Sequence, residues 1–281
     1  MKKIEQIVEL RKQLTQHKRE GRSIGFVPTM GFLHEGHQAL IQKARAENDI
    51  VVLSIFVNPL QFGPNEDFDA YPRDLERDLT VARNAGVDYV FAPAASEIYP
   101  SRPTVKVAVE ARTDVLCGKS RPGHFDGVAT VLTKLFSIVQ PDKAYFGLKD
   151  AQQVAVVDGL INDFNFPVQL VAVDTVREED GLAKSSRNVY LTEEERKEAP
   201  ALYRALKEGR EAFENGEKNP DKVIDIIKGI IERETNGQID YVEIYRYPSL
   251  EPVEKIEGKC IIALAVRFSG ARLIDNILLD A

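Results

Sequence analysis

Two histidines stand three residues apart in the stretch Phe26-Val27-Pro28-Thr29-Met30-Gly31-Phe32-Leu33-His34-Glu35-Gly36-His37. On a helix that interval puts both imidazoles on one face, where they can reach a single anion as hydrogen-bond donors. The flanking residues predict such a placement. Ser23 to Val27 is an apolar run that reads as a buried strand, Pro28 ends it, and Gly31 and Gly36 permit a tight turn. From His37 onward, Ala39, Leu40, Ile41 and Ala44 recur at helical spacing. The histidines therefore fall where the unpaired N–H groups and positive dipole end of a helix face outward, a site for phosphate. Zinc is the weaker reading, because the H-E-x-x-H spacing is missing and no third ligand is adjacent.

Other residues carry complementary chemistry. Gly147-Leu148-Lys149-Asp150 follows a short strand at Lys143–Phe146 and offers an ammonium, a mobile point charge suited to phosphate. Asp150 can cap a helix running to about Asn162, and Gln153 lies one turn into it. Lys184-Ser185-Ser186-Arg187 sets two hydroxyls between two cations. By composition it is a flexible linker; by its position after the last sheet strand it is a loop able to fold over polyphosphate. In Asn58-Pro59-Leu60-Gln61-Phe62-Gly63, Gln61 combines a donor and an acceptor, as needed to grip a hydroxy acid. Arg121 and His124 lie in a polar loop, Cys117 to Gly127. Tyr71-Pro72-Arg73-Asp74 and Asp78 supply carboxylates in reach of Mg²⁺ or, more simply, a solvated acidic helix face, and no protein metal ligand is assigned.

His-x-Gly-His after a first strand resembles the HIGH signature of nucleotidylyltransferases and class I aminoacyl-tRNA synthetases. The longer string from Pro28 to His37 narrows the resemblance to the pantothenate synthetase (pantoate–β-alanine ligase) family. Four further stretches are similar to signatures of that family in the expected order: the one around Gln61, Arg121-Pro-Gly-His124, Tyr145 to Gln153, and Ser185-Ser186-Arg187-Asn188. The last is related to the KMSKS loop of the synthetases. This chain has Ala183-Lys184 before the serines and no second lysine, which weighs against a tRNA synthetase.

The resemblance implies an ATP site made of Met30, Gly31, Phe32, Leu33, His34, Glu35, Gly36 and His37, of Gly147, Leu148, Lys149, Asp150 and Val176, and of Lys184, Ser185, Ser186 and Arg187. His34, His37, Lys149 and Arg187 are its expected catalytic residues. Gln61, Gln153, Arg121 and His124 are the expected pantoate ligands, with Gln61 later taking β-alanine. The implied reaction condenses pantoate with β-alanine through a pantoyl adenylate and releases pyrophosphate and AMP. ATP would enter as substrate with Mg²⁺, without a tightly bound organic cofactor, and the family suggests a homodimer. The alternatives are another HIGH-type nucleotidylyltransferase or a nucleotide-sensing module without turnover.

The elements that must position these residues form a strand–helix alternation. Apolar Asp49–Val57, then a helix over Leu75–Asn84, a strand over Val87–Ala92, a helix over Val128–Val139 and a buried strand over Val168–Val176 predict an α/β fold. That fold is a Rossmann-like parallel sheet with helices on both faces, over residues 1–176. A helix over Ile4–His17 is expected before it, and Thr104–Val109 alternates like an edge strand or hairpin arm. Residues 177–190 read as a hinge, and 191–281 as a smaller α+β lid domain. There Thr192 and Glu195 make a capping box, Pro200 starts a second helix that Asn215-Gly216 stops, and Asn219-Pro220 opens a third. Val223, Ile226, Ile227, Ile230 and Ile231 are its stripe, and strands follow at Ile239–Tyr245, Cys260–Phe268 and Arg272–Leu279.

At 281 residues, 43% hydrophobic and 29% charged, the chain has the composition of a globular protein with one large or two modest cores. A net charge of −7 argues against a protein that lives by holding nucleic acid or an anionic membrane. Cys117 and Cys260 fit neither a disulfide framework nor a zinc cluster, and are expected as thiols in a reducing cytosol. With no long apolar run and no signal-peptide pattern, a cytoplasmic location is expected.

Overall fold

The computed structural model describes all residues except Asn65, Asp67 and Ala281. The chain forms two compact units. The first comprises Met1–Glu110, Arg121–Leu148 and Val156–Asp174, and the second Ala111–Ser120, Lys149–Ala155 and the chain from Thr175 on.

The first unit is built on six strands: β1 (Lys2–Ile4), β2 (Ile24–Thr29), β3 (Ile50–Ile55), β4 (Tyr89–Phe91), β5 (Lys143–Gly147) and β6 (Gln169–Val173). Every pairing is parallel, in the order β1-β4-β3-β2-β5-β6. The carboxyl ends of all six therefore share one edge. The chain steps outward from β2 through β3 to β4, then returns to place β5 on the other side of β2. That reversal is the topological switch point of a Rossmann-type sheet, where ligands bind. Helices α1 (Ile7–Arg19), α2 (Glu35–Glu47), α3 (Leu75–Asn84), α4 (Ala95–Ile98) and α6 (His124–Val139) belong to this unit, α5 (Leu116–Ser120) belongs to the second, and α7 (Ala151–Asp163) starts in the second and ends in the first.

Strand residues alternate faces, so Val27, Val51, Leu53 and Val90 point one way. They form one core with Leu40, Ile41 and Ala44 of α2 and Leu79 and Ala82 of α3. Ile24, Phe26 and Val52 point the other way and are equally buried. On that side α1 and α6 pack together, with Leu10, Leu14, Leu132 and Leu135 inside. The sheet thus carries helices on both faces, as the near-continuous apolar strands predict.

Several local expectations give way. Ile4 does not begin the first helix; it pairs with Phe91 as the end of β1, a strand too short to register in the sequence pattern. Pro28 does not end β2, which continues to Thr29 in register with Ser54 and Ile55. Alternate residues of a parallel strand bond to alternate neighbours, and β5 pairs with β2 only at Gly25 and Phe26. The nitrogen of Pro28 faces the side that β5 has left, so no ladder bond is lost. Residues 104–109 form no strand; Val107 and Val109 instead donate to side chains of α6, Thr130 at 3.4 Å and Asp126 at 3.0 Å. The polar loop of Cys117–Gly127 is mostly helical, in α5 and the start of α6. β6 is an edge strand, half-exposed rather than buried.

In the second unit β7 (Gln238–Arg246), β8 (Lys259–Arg267) and β9 (Arg272–Asp280) form an antiparallel sheet with β8 in the middle. Helices α8 (Glu193–Glu198), α9 (Ala201–Glu214) and α10 (Pro220–Glu234) complete it. The capping box is present: Glu195 donates its N–H to Thr192 Oγ1 at 3.2 Å, and Thr192 donates to Glu195 Oε2 at 2.9 Å. Asn219 caps α10 through Asp221 and Lys222. Val223, Ile227 and Ile231 face a core shared with Leu202 and Leu206 of α9 and Ile262 and Leu264 of β8. Replacing one of these isoleucines by alanine would cost about 2–5 kcal/mol. Ile226 leaves the predicted stripe and is 39% exposed, while Ile230 packs against the core only in part.

Candidate functional site

β2 delivers the signature loop to the carboxyl edge at the switch point, and α2 starts there. His34 is its N-cap, with extended backbone at φ −134° and ψ 179°. His34 Nδ1 accepts the Gly36 N–H at 3.1 Å, and the His34 N–H donates to His37 Nδ1 at 3.2 Å. The rings lie 4.1 Å apart between centroids. Gly36 is required for this fold-back, since a Cβ there would stand 2.8 Å from His34 Cε1. With both Nδ1 atoms accepting from backbone, the proton of each neutral ring is assigned to Nε2. The helix start thus presents two imidazole N–H groups and a positive dipole end, which suits an anion.

Sequence reasoning missed what holds this loop. Asp78, on α3, is 1% exposed and accepts the N–H groups of Phe32 and Leu33, each at 2.7 Å. It is therefore not a solvated helix face: each carboxylate oxygen is taken by a backbone N–H. Burial raises its pKa above the ordinary carboxylate value, against the lowering effect of the two backbone N–H bonds. The signal was present: Leu75, Asp78, Leu79 and Ala82 occupy the i, i+3, i+4, i+7 stripe of α3, with an aspartate on the core side.

After β3, the 3₁₀ turn Pro59–Gln61 places Gln61 at the same edge. Gln61 is 8% exposed, and its Nε2 donates to Met30 Sδ at 3.1 Å, joining it to the signature loop. Asn58, 1% exposed, donates from Nδ2 to Gln61 Oε1 at 3.2 Å and to the Gly127 carbonyl at 3.0 Å. Its Oδ1 accepts the Tyr99 hydroxyl at 2.9 Å. Burial pushes that hydroxyl up to about 12, so it remains a donor. Asn58 was also missed as a site residue, although an Asn before Pro at a strand end is a turn-capping signal.

Arg121 and His124 converge on the same glutamine from behind. His124 Nδ1 donates to the Gln61 carbonyl at 2.8 Å, which leaves Nε2 to accept from Arg121 Nη1 at 3.2 Å. Arg121 Nη2 lies 3.4 Å from that carbonyl, and its guanidinium pairs with both carboxylate oxygens of Glu66. Burial pushes the Glu66 carboxyl up, but the hydrogen bond and charge of Arg121 outweigh it and hold it below its ordinary value. A 490 Å³ cavity lies beside this cluster, lined by Leu60, Phe62, Pro103, Val105, His124 and Thr130 among others.

Gly147 ends β5 and Leu148 opens a 3₁₀ turn, both in the first unit. Lys149, Asp150 and Gln153 belong to the second unit. There the Lys149 carbonyl accepts Asn276 Nδ2 at 2.9 Å, and its ammonium lies 3.4 Å from Asp150 Oδ2. Gln153 is half-buried on α7, while its neighbour Gln152 is buried and holds the carbonyls of Arg112 and Val115.

The Lys184–Arg187 segment is braced on several sides. Lys184 donates its N–H to the Val176 carbonyl at 2.9 Å, and Ser185 Oγ accepts the Arg187 N–H at 3.3 Å. Asn188 holds the Ala183 carbonyl at 3.1 Å, and Arg177 bridges to Ala183 through the backbone. Arg177 is in turn paired with buried Asp275 by bonds of 2.6 and 2.9 Å. Ser186 opens a 3₁₀ turn that ends at Tyr190.

Among the described residues, no group of three or more His, Cys, Asp or Glu is placed to hold a metal ion, and no helix is long and apolar enough to cross a membrane.

The sequence matches the family described as pantoate-beta-alanine ligase over residues 2–278. A pantothenate synthetase of Geobacillus sp. (strain WCH70) is 66% identical over 274 residues, covering 98% of this chain and 97% of the relative. The crystal structure of a pantothenate synthetase from Thermus thermophilus superposes with a TM-score of 0.94 at 48% identity, covering 99% of both chains. A pantoate-beta-alanine ligase from Francisella tularensis, solved with a β,γ-ATP compound and β-alanine, superposes with a TM-score of 0.81 at 34% identity, over 99% of this chain and 97% of that one. On sequence and fold together, this chain belongs to the pantoate–β-alanine ligase family.

Proposed function

We propose that the chain joins pantoate to β-alanine at the expense of ATP, by way of a pantoyl adenylate. The observation that carries this reading is the pair His34 and His37, locked as Nε2–H donors at a helix start on the switch point of the sheet. In the first step the pantoate carboxylate attacks the α-phosphorus, and pyrophosphate leaves. A carboxylate is already an anion at neutral pH, so the step needs alignment and charge compensation rather than a strong base. His34 and His37 are proposed to donate to the phosphates, with Lys149, Lys184 and Arg187 as cations toward the same triphosphate. Met30 to His37, Gly147, Leu148, Asp150, Val176, Ser185 and Ser186 are proposed as the remaining ATP contacts.

Gln61 and Gln153 are proposed to hold pantoate, with Arg121 and His124 beside Gln61. In the second step the amine of β-alanine, taken up at Gln61, attacks the mixed anhydride and releases AMP. Mg²⁺ is proposed to arrive as the counter-ion of ATP. The described residues build no cluster fitted to hold it, and no step is routed through it. A cytoplasmic homodimer is the form we expect, from the family resemblance.

Isotope exchange between pyrophosphate and ATP tests the reading. Exchange should depend on pantoate, and adding β-alanine should convert the bound intermediate to pantothenate and AMP. Exchange that ignores pantoate would favour a different nucleotidylyltransferase, and its complete absence would favour a sensing module.

A further inference from the structure

The loop that presents the two histidines leaves β2 through two successive left-handed residues, Gly31 at φ +87° and Phe32 at φ +50°. A phenylalanine rarely adopts that conformation unless its surroundings impose it. Such a turn aims consecutive N–H groups into one concavity, a nest that takes an anion. The anion is internal: Asp78 Oδ2 accepts Phe32 N–H and Oδ1 accepts Leu33 N–H, both at 2.7 Å. A Cβ on Gly31 would lie 2.9 Å from the same carboxylate, so the loop backbone packs directly on it. The Leu33 side chain is fully buried and fixes the far end of the nest. Arg77 closes the near side, with its guanidinium 4.9 Å over the Phe32 ring and Nη1 3.9 Å from Asp78 Oδ1.

His34 is the next residue. Its own N–H positions His37, so both rings depend on a peptide run whose two preceding N–H groups are held by one carboxylate. We propose that Asp78 is a positioning residue that sets the geometry of His34 and His37 through the Phe32–Leu33 backbone. The proposal rests on the adenylate-forming reading for its kinetic consequence, but not for its structural one. Asp78 acts through its bonds to the loop backbone. It pre-pays the strain of the loop so that the imidazoles meet the phosphates already aligned.

Asp78→Asn and Asp78→Ser test this. The first keeps the shape and sets an amide donor against a backbone donor; the second removes the charge and leaves room for water. Circular dichroism and Tm identify the folded variant. In it the kcat of pantoate-dependent pyrophosphate–ATP exchange should fall by about 10–100-fold, the scale of a small misplacement of catalytic groups. The KM for ATP should stay within about threefold, since the histidines act in the transition state. Long-range ¹H–¹⁵N spectra of the rings should show His34 and His37 leaving the uniform Nε2–H pattern of the wild type. A folded variant with wild-type exchange and ring spectra would overturn the proposal. So would failure of both variants to fold, which would make Asp78 a core residue. If the wild type shows no exchange, the functional reading fails, and the ring spectra alone decide whether Asp78 sets the histidines.

Discussion

The His34 N–H donates to Nδ1 of His37 at 3.2 Å, so the second histidine of the signature is oriented by the backbone of the first. His37 in turn satisfies the N-cap amide, which in the usual capping box goes to a Glu or Gln side chain. The pair is therefore a capping device whose Nε2–H groups are set before any ligand arrives. A ring that accepts at Nδ1 is neutral and can still donate from Nε2.

His37→Ala removes one proposed transition-state donor and one cap partner. Adenylate formation in a single turnover should fall by about 10²–10³-fold, the usual cost of losing such a donor. Loss of the cap alone should cost only about 0.5–2 kcal/mol of stability. Quench-flow measurement of the adenylate checks it, and a wild-type rate would end the assignment.

Much of this site was legible because its chemistry sits on sharp local transitions. Strand, Gly-bearing turn and helix start are written consecutively from Phe26 to Ala44, and Asn58-Pro59 marks the turn after β3 in the same local way. What was hidden is long-range. Asp78 meets Phe32 across 46 positions, and Asp275 meets Arg177 across 98. No local periodicity reports such a pairing; only a charged residue on a buried stripe hints at it. Likewise β1 and the coil of residues 104–109 are decided by which edge has a partner, a property of the assembled sheet.

Glu66→Gln separates bracing from ligation around Gln61. Glu66 anchors the Arg121 guanidinium at two points, and Arg121 with His124 holds the Gln61 carbonyl. Without the charge the brace loosens, and the KM for pantoate should rise by about 3–10-fold, the range of one or two ordinary hydrogen bonds. The KM for ATP should hardly move. A lower pantoate KM would instead mean that Glu66 competes with substrate for Arg121.

Glu47 gives the acid side of stability a local origin. Hydrogen bonds from Lys43, Lys143 and Tyr145 lower its pKa from the ordinary 4.5 to about 2. A carboxyl depressed on folding stabilises fully above its unfolded pKa and loses that contribution as pH falls through the folded one. Its share should therefore disappear between about pH 5 and pH 2. Glu47→Gln should be less stable at pH 7 and should converge on the wild type near pH 2. Denaturant titrations at several pH values read this, and parallel curves at every pH would contradict it.

Gly127→Ala probes whether Gln61 tolerates displacement. Helix α6 lies directly against the 3₁₀ turn Pro59–Gln61, and a Cβ at Gly127 would stand 2.7 Å from Gln61 Cα and collide with the Leu60 carbonyl. Both obstacles are backbone, so neither can swing aside as a side-chain tip would. The Gly127 carbonyl also accepts Asn58 Nδ2, so a shift there moves the group that holds Gln61 Oε1. Overpacking of this kind costs about 1–3 kcal/mol, and the fold should survive it. The KM for pantoate should rise by about tenfold, equivalent to ~1.4 kcal/mol of lost binding, with the KM for ATP near that of the wild type. A folded variant with an unchanged pantoate KM would count against Gln61 as a pantoate ligand.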